Sequence, residues 1–153
     1  ISGAVTFHGF LPHDKVQDVA ARSAIMVFPS VRDFGGGVVL EAMALGLAPV
    51  IVNYAGPAEL VTADSGYSVP LGPRSAIVAA LRDLIDRLDR DRAGVAETGE
   101  RGRQRLFAHF TWAAKARQIA QVYDWVLGRR ADKPAFDLGH DLGAMRETRD
   151  VAV

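Results

Sequence analysis

Pro29-Ser30-Val31-Arg32-Asp33-Phe34-Gly35-Gly36-Gly37-Val38-Val39-Leu40-Glu41-Ala42-Met43-Ala44-Leu45-Gly46 is the stretch on which the fold of this chain turns. The run before it, Ile25-Met26-Val27-Phe28, is β-branched and aromatic, bounded by Pro29, and predicts a short buried strand. The glycines predict a loop, and Val38 to Leu45 a helix closed by Gly46 at the C-cap position. Between Phe34 and Val52 the only charged residue is Glu41. A lone carboxylate in so apolar a helix is costly to bury unless something binds it. Asp33 stands eight residues earlier, at the mouth of the glycine loop. Successive glycines let the backbone come close to a ligand. The first N–H groups of a helix lack intrahelical partners and, with the helix dipole, attract anions such as a diphosphate. An ionised carboxylate only accepts hydrogen bonds, which suits sugar hydroxyls. The pattern fits a polyhydroxylated, phosphate-bearing ligand. A plain tight turn followed by a solvated helix Glu would look the same in isolation.

Outward from this stretch the elements alternate. Val5-Thr6-Phe7 predicts a first buried strand ending at Gly9, and Pro12-His13-Asp14 a helix start running to about Arg22. Pro49 to Val52 predicts a further strand. The loop from Asn53 to Pro57 then leads to a short turn or helix around Ala58 to Val61, and Tyr67 to Val69 to a last strand. Ile77, Leu81, Leu84, Ile85 and Leu88 share one helical face. The Arg-rich helices from Arg82 to Arg105 are interspersed with Asp and Glu and read as solvated faces rather than phosphate grooves. Thr111 is a good N-cap for a final helix, whose stripe of Trp112, Ala116, Ile119, Ala120, Tyr123, Val126 and Leu127 is most simply read as core packing, with partial exposure as the alternative. Buried strands alternating with helices predict an α/β, Rossmann-like parallel sheet with helices on both faces, ending in amphipathic helices. In such folds ligands bind beyond the carboxyl ends of the strands, where Asp33, Glu41 and Glu59 would face one crevice. Residues 1–130 are expected to form a partial domain, and 131–153 a flexible C-terminal tail.

The chain has 153 residues, 49% of them hydrophobic and 24% charged, with a formal net charge of zero. One domain with a real core fits that length, and zero net charge gives no nucleic-acid footprint. Cysteine is absent, which excludes disulfides, thiolate metal sites and a Cys nucleophile and is compatible with the cytosol. His13, His109 and His140 share no metal-ligand spacing, and His8, at the end of the first expected strand, is taken as a structural or solvated residue. The chain opens on Ile1 rather than Met, and the expectation is that of a fragment.

Phe28-Pro29-Ser30, the run from Asp33 to Gly46, Pro49-Val50-Ile51 and Gly56-Pro57-Ala58-Glu59 together resemble the donor-binding half of glycosyltransferase family 4, retaining enzymes of GT-B fold. That family's signature is two acidic residues separated by seven, as Asp33 and Glu41 are here. Val5-Thr6-Phe7-His8-Gly9, Gly66-Tyr67-Ser68-Val69 and Phe110-Thr111-Trp112 add to the match, which covers about residues 5 to 127. The chain departs from the pattern in having Asp33 where Glu is usual, and in placing Phe34 directly after the acid.

The resemblance implies transfer of a sugar from a nucleotide-diphosphate donor to an acceptor hydroxyl with retention of anomeric configuration. It implies that Asp33 and Glu41 carry the chemistry. Asp33 would hold hydroxyls of the donor sugar, the amides of Phe34, Gly35, Gly36, Gly37 and Val38 sugar oxygens and the diphosphate, and Glu41 the donor ribose. Glu59 and Gly9 are further donor-site candidates, Glu59 being equally a candidate cap for the helix after Pro57. No metal and no cofactor are expected, the nucleotide sugar being a substrate. The implied partners are that donor and a carbohydrate or lipid-linked acceptor bound by an N-terminal domain, in polysaccharide or glycolipid assembly. The protein is expected in the cytoplasm, with peripheral membrane contact through that other half, and the isolated chain is expected to be inactive. The alternatives are an inactive nucleotide-sugar-binding module and a sugar-nucleotide epimerase of similar architecture.

Overall fold

The computed structural model describes residues 3–136. Its elements are α1 (His13–Ala20), β1 (Ile25–Phe28), α2 (Gly37–Ala44), β2 (Ala48–Val52), α3 (Ala55–Leu60), β3 (Tyr67–Val69), α4 (Arg74–Arg90), α5 (Arg92–His109) and α6 (Trp112–Val126). The three strands pair parallel in the order β1-β2-β3, with Ile25 opposite Ala48 and Val50 opposite Tyr67.

β2 is buried along its whole length because both of its faces are covered. Ala48, Val50 and Val52 pack with Val69 of β3, Leu84 and Leu88 of α4 and Val95 of α5. Ile51 points the other way, into Val39 and Met43 of α2, Leu60 and Val61 at the end of α3, and Leu106 of α5. This is why the strand reads as a continuous apolar run rather than an alternating one. Sequential parallel strands joined by crossovers of one hand place α2 and α3 on the same face, and α4 returns across the other.

The expected helices from Arg74 onward form as read. Thr111 caps α6 by accepting from the Ala114 amide at 3.1 Å, and Asp91 caps α5 by accepting from the Gly94 amide at 3.0 Å. The short helix after β2 begins earlier than expected, at Ala55.

Two expectations are corrected. Val5–Phe7 is not a strand: no described strand lies beside it to share a ladder, and Phe7 is 93% exposed. The α6 stripe is not core. Ala114 is the helix's one buried residue, and Trp112 (91%) and Tyr123 (63%) stand in solvent, with no described element covering them. The charged face of α5 is solvated as expected, with Glu97, Glu100, Arg101 and Arg103 exposed, but the opposite face is buried. Val95, Thr98, Gly99, Gly102 and Leu106 form a buried stripe, made small so that the helix can lie close to the turn after α2. Of the expected tail, residues 137–153 lie outside the described residues; Pro134 is buried and Lys133 lies over the Trp125 ring.

A Cβ on Gly99 would lie 2.1 Å from the Gly46 carbonyl oxygen, and one on Gly102 2.9 Å from that of Ser65, so backbone meets backbone at both points. Gly99→Ala should therefore cost about 3 kcal/mol of stability in urea unfolding, while Glu100→Ala on the exposed side of the same turn should stay within about 0.5 kcal/mol. A Gly99→Ala chain as stable as the parent would show that α5 does not lie this close.

Candidate functional site

The loops after β1 and β2 emerge from neighbouring parallel strands at the same end of the sheet, and there the glycine loop meets the start of α3. Gly36 is buried, adopts φ +63°, and is the N-cap of α2; a side chain at that left-handed position would be strained. Its carbonyl accepts from the Val39 and Leu40 amides, which starts the helix. Gly37 and Val38, one step further, keep N–H groups with no acceptor among the described residues. These two amides are the open end of the α2 dipole.

Asp33 is half-buried and turned inward. Its Oδ1 accepts from the Gly35 amide at 3.0 Å and from the Gly36 amide at 2.5 Å, so one carboxylate oxygen staples its own loop. Oδ2 takes no hydrogen bond from a described residue and is the atom left for a ligand. Two of the five amides expected to face a ligand are thus already spent on Asp33.

Glu41 is exposed, so no cost of burying its carboxylate arises. It has no ion pair or hydrogen bond with a described residue. It sits four residues beyond the start of α2, about 6 Å along the axis, with its Cβ tilted back toward the open amides. It borders a groove of about 250 Å³ between α1 and α2, whose walls are Val16, Ala20, Met26, Val38 and Leu45 with Gln17 at the rim. Another concavity, about 300 Å³, is lined by Thr62, Gly66, Tyr67 and Arg87. It opens at the start of β3, at the opposite end of the sheet from the glycine loop, so the carboxyl-end rule for ligand sites passes it over.

The remaining expected residues fall as follows. Phe34 is 97% exposed at the tip of the loop. Glu59 is exposed on α3; since Tyr54 is the N-cap of that helix, Glu59 does not cap it. Gly9 turns an exposed segment with φ +64°, and no hydrogen bond joins it or His8 to the glycine loop. His13 pairs with Gln17 on α1, and His140 lies outside the described residues. Among the described residues no group of three or more His, Asp or Glu gathers in a way that would hold a metal ion.

Sequence reasoning missed the contact that holds the loop. A Cβ on Gly56 would lie 2.0 Å from the Phe34 carbonyl oxygen and 3.2 Å from Gly35 Cα. From the other side, a Cβ on Gly36 would lie 2.9 Å from Leu60 Cδ1 and 3.3 Å from the Pro57 nitrogen. The loop is therefore pressed against the first turn of α3, and Ala55, just before Gly56, takes φ +51°, a strained value for a residue with a Cβ. The pair Gly36 and Gly56 was the available signal, since each glycine lies in a loop flanking an apolar strand.

The model of one family, described as Glycosyl transferases group 1, matches residues 1–105. The chain belongs to the glycosyl transferases group 1 family. Alpha-maltose-1-phosphate synthase of Mycolicibacterium smegmatis is 30% identical to this group 1 chain over 125 residues, 80% of the chain and 32% of the synthase. The 2-deoxystreptamine N-acetyl-D-glucosaminyltransferase of Streptomyces fradiae is 34% identical over 91 residues, 59% of the chain and 22% of that protein. Among solved structures, sucrose-phosphate synthase from Thermosynechococcus elongatus superposes with a TM-score of 0.64 at 29% identity, over 84% of this chain and 31% of that one. The group 1 chain thus spans a third or less of the length of these relatives.

Gly56→Ala tests the loop contact. It should push the Phe34 carbonyl away, cost about 2–4 kcal/mol, and speed amide exchange at Gly35 and Gly36 more than in the β2 strand. Unchanged exchange at those amides would mean the loop is held by something else.

Proposed function

We propose that this chain is the donor-binding part of a retaining glycosyltransferase, which moves a sugar from a nucleoside diphosphate to an acceptor hydroxyl. One observation carries this: the open Gly37 and Val38 amides at the head of α2, with the unpaired Glu41 carboxylate one turn behind them. A diphosphate at the amides and a ribose at Glu41 are the two ends of one ligand. Glu41, acceptor-only, takes hydrogen bonds from the ribose hydroxyls, and the groove beside it is apolar enough for the flat face of a base. Asp33 Oδ2 faces the sugar.

In the reaction, the bond between the anomeric carbon and the diphosphate oxygen breaks, positive charge gathers on the sugar, and negative charge on the departing phosphate. The fixed amides and the helix dipole meet that negative charge without having to reorganise. The acceptor hydroxyl attacks from the face the phosphate leaves, and the phosphate oxygen takes its proton. That path uses no nucleophile from the chain and draws no step from a metal ion. The acceptor, a carbohydrate or a lipid-linked sugar, is held by a further domain, in polysaccharide or glycolipid assembly in the cytoplasm; membership of the group 1 family and the likeness to an N-acetyl-D-glucosaminyltransferase support the transfer itself.

The inward turn of Asp33 favours a second reading, a nucleotide-sugar-binding module without catalysis, because its Oδ1 serves the loop rather than a ligand. Sugar transfer by the full-length protein separates the two, and Asp33→Asn tests what Asp33 does. The amide oxygen can still accept from Gly35 and Gly36, so a staple alone keeps its function, whereas a bound sugar loses its charged acceptor. Binding is measured by calorimetry with nucleoside diphosphates and their sugar conjugates. Glu41→Gln should weaken both about tenfold, and Asp33→Asn should weaken only the conjugates, by a factor of about ten. If neither variant changes the affinity of any of these ligands, the donor site lies elsewhere.

A further inference from the structure

Leu60, the last residue of α3, touches two things that the site needs to be connected. Its side chain reaches Gly36: the methyl Cδ1 lies 2.9 Å from where a Cβ on that glycine would be. Its backbone carbonyl, near the carboxyl end of the helix and so without an intrahelical donor, accepts from Nε of Arg105 at 2.9 Å. Arg105 lies 45 residues further along, on α5. Its guanidinium carbon sits 5.3 Å from the centroid of the Phe110 ring, and Lys115 approaches the same ring at 5.1 Å. Arg105 is itself half-buried, and its neighbour Leu106 is part of the same apolar cluster as Leu60, Val39 and Met43.

We propose that Arg105 is a positioning residue for the glycine loop: by holding the Leu60 carbonyl it fixes the Leu60 side chain against Gly36, and so sets the angle at which α2 presents the Gly37 and Val38 amides. One rigid residue separates the guanidinium from the N-cap, and Leu60 is packed from both sides, by α2 and by α5. A shift of its carbonyl is passed to its side chain with little room to dissipate. The consequence for ligand affinity rests on the donor-site reading above; the consequence for loop geometry does not.

A built-in comparison exists one turn earlier on α5. Arg101 donates from Nε to the Asp64 carbonyl at 2.8 Å, a bond of the same kind and length, to a residue that is not among the nearest neighbours of Gly36. Arg105→Met and Arg101→Met each remove an arginine-to-carbonyl bond while keeping most of the aliphatic stem; Arg101→Met also removes a bond to Thr98 and an ion pair with Glu97, and Arg105→Met the guanidinium over Phe110. Both should lower the unfolding midpoint. Arg105→Met alone should shift the Gly35, Gly36, Gly37 and Val38 amide signals in nitrogen–proton spectra and accelerate Gly36 exchange, and Arg105→Lys should restore part of the effect. With UDP, GDP or ADP as the probe, Arg105→Met should weaken binding about tenfold and Arg101→Met less than twofold. Glycine-loop signals unchanged in Arg105→Met, or changed equally in Arg101→Met, would overturn the proposal. If Arg105→Met fails to fold, Leu60→Val decides: it keeps the carbonyl bond and shortens the side chain, so an unmoved Gly36 signal overturns the link and a moved one supports it. Moved glycine signals in a chain whose parent binds no nucleotide would support the positioning role and count against the donor site alone.

Discussion

Backbone meets backbone where residues 34–36 lie against residues 56–57, and there is no space for a side chain on either glycine that makes the contact. The rest of the site hangs on that contact. It fixes the left-handed turn at Gly36, and Gly36 starts α2, so the direction of the helix dipole and of the open Gly37 and Val38 amides is set by how closely α3 approaches. The strained φ of Ala55 sits at the same junction and persists because Gly56 and Pro57 are locked in place on either side of the contact. The loop's charge pattern follows from the same geometry. With two amides already used by Asp33, what remains pointing outward is a pair of N–H groups on a helix end, which suits an anion and little else.

The sheet and its helices were legible in the sequence because their causes are local. Ile25–Phe28 and Ala48–Val52 are apolar runs of strand length bounded by Pro29 and Gly46 or Asn53, and α4 and α6 announce themselves by periodicity and, for α6, by Thr111. What failed were inferences that needed a partner. Val5–Phe7 has the composition of a strand, but pairing is a relation between two segments, and no described segment offers a ladder. The α6 stripe has the periodicity of a packed helix, yet periodicity states only that a face is apolar, not that something covers it; Trp112 and Tyr123 stay exposed. On α5 the buried face went unread: it includes Thr98, Gly99 and Gly102, residues that hydropathy scores as neutral, so nothing marked the side pressed on the sheet.

The candidate site divides in the same manner. The glycines, Asp33 and Glu41 are contiguous in the chain, and their meeting at the end of β1 follows from one strand–loop–helix unit. Asp33's inward turn was not legible, because an Asp two and three residues before glycine amides can staple them or face a ligand with the same sequence. Nor could Gly56, Leu60 and Arg105 have been assigned. Each acts across a distance in sequence, and arginines in a run of Arg, Glu and Asp carry no mark of which one turns inward to a carbonyl. The match to the group 1 family covers residues 1–105 and so includes the glycine loop, Glu41, Gly56, Leu60 and Arg105.

Whether the two open amides at the head of α2 hold a diphosphate is read from amide chemical shifts, with a nucleoside diphosphate titrated into the nitrogen-15-labelled chain. Gly37 and Val38 should show the largest saturable shifts, larger than those of Gly35 and Gly36, whose N–H groups Asp33 already holds. Saturable shifts centred instead on Thr62, Tyr67 and Arg87 at the start of β3, or none anywhere in a folded chain, would contradict a diphosphate at those amides.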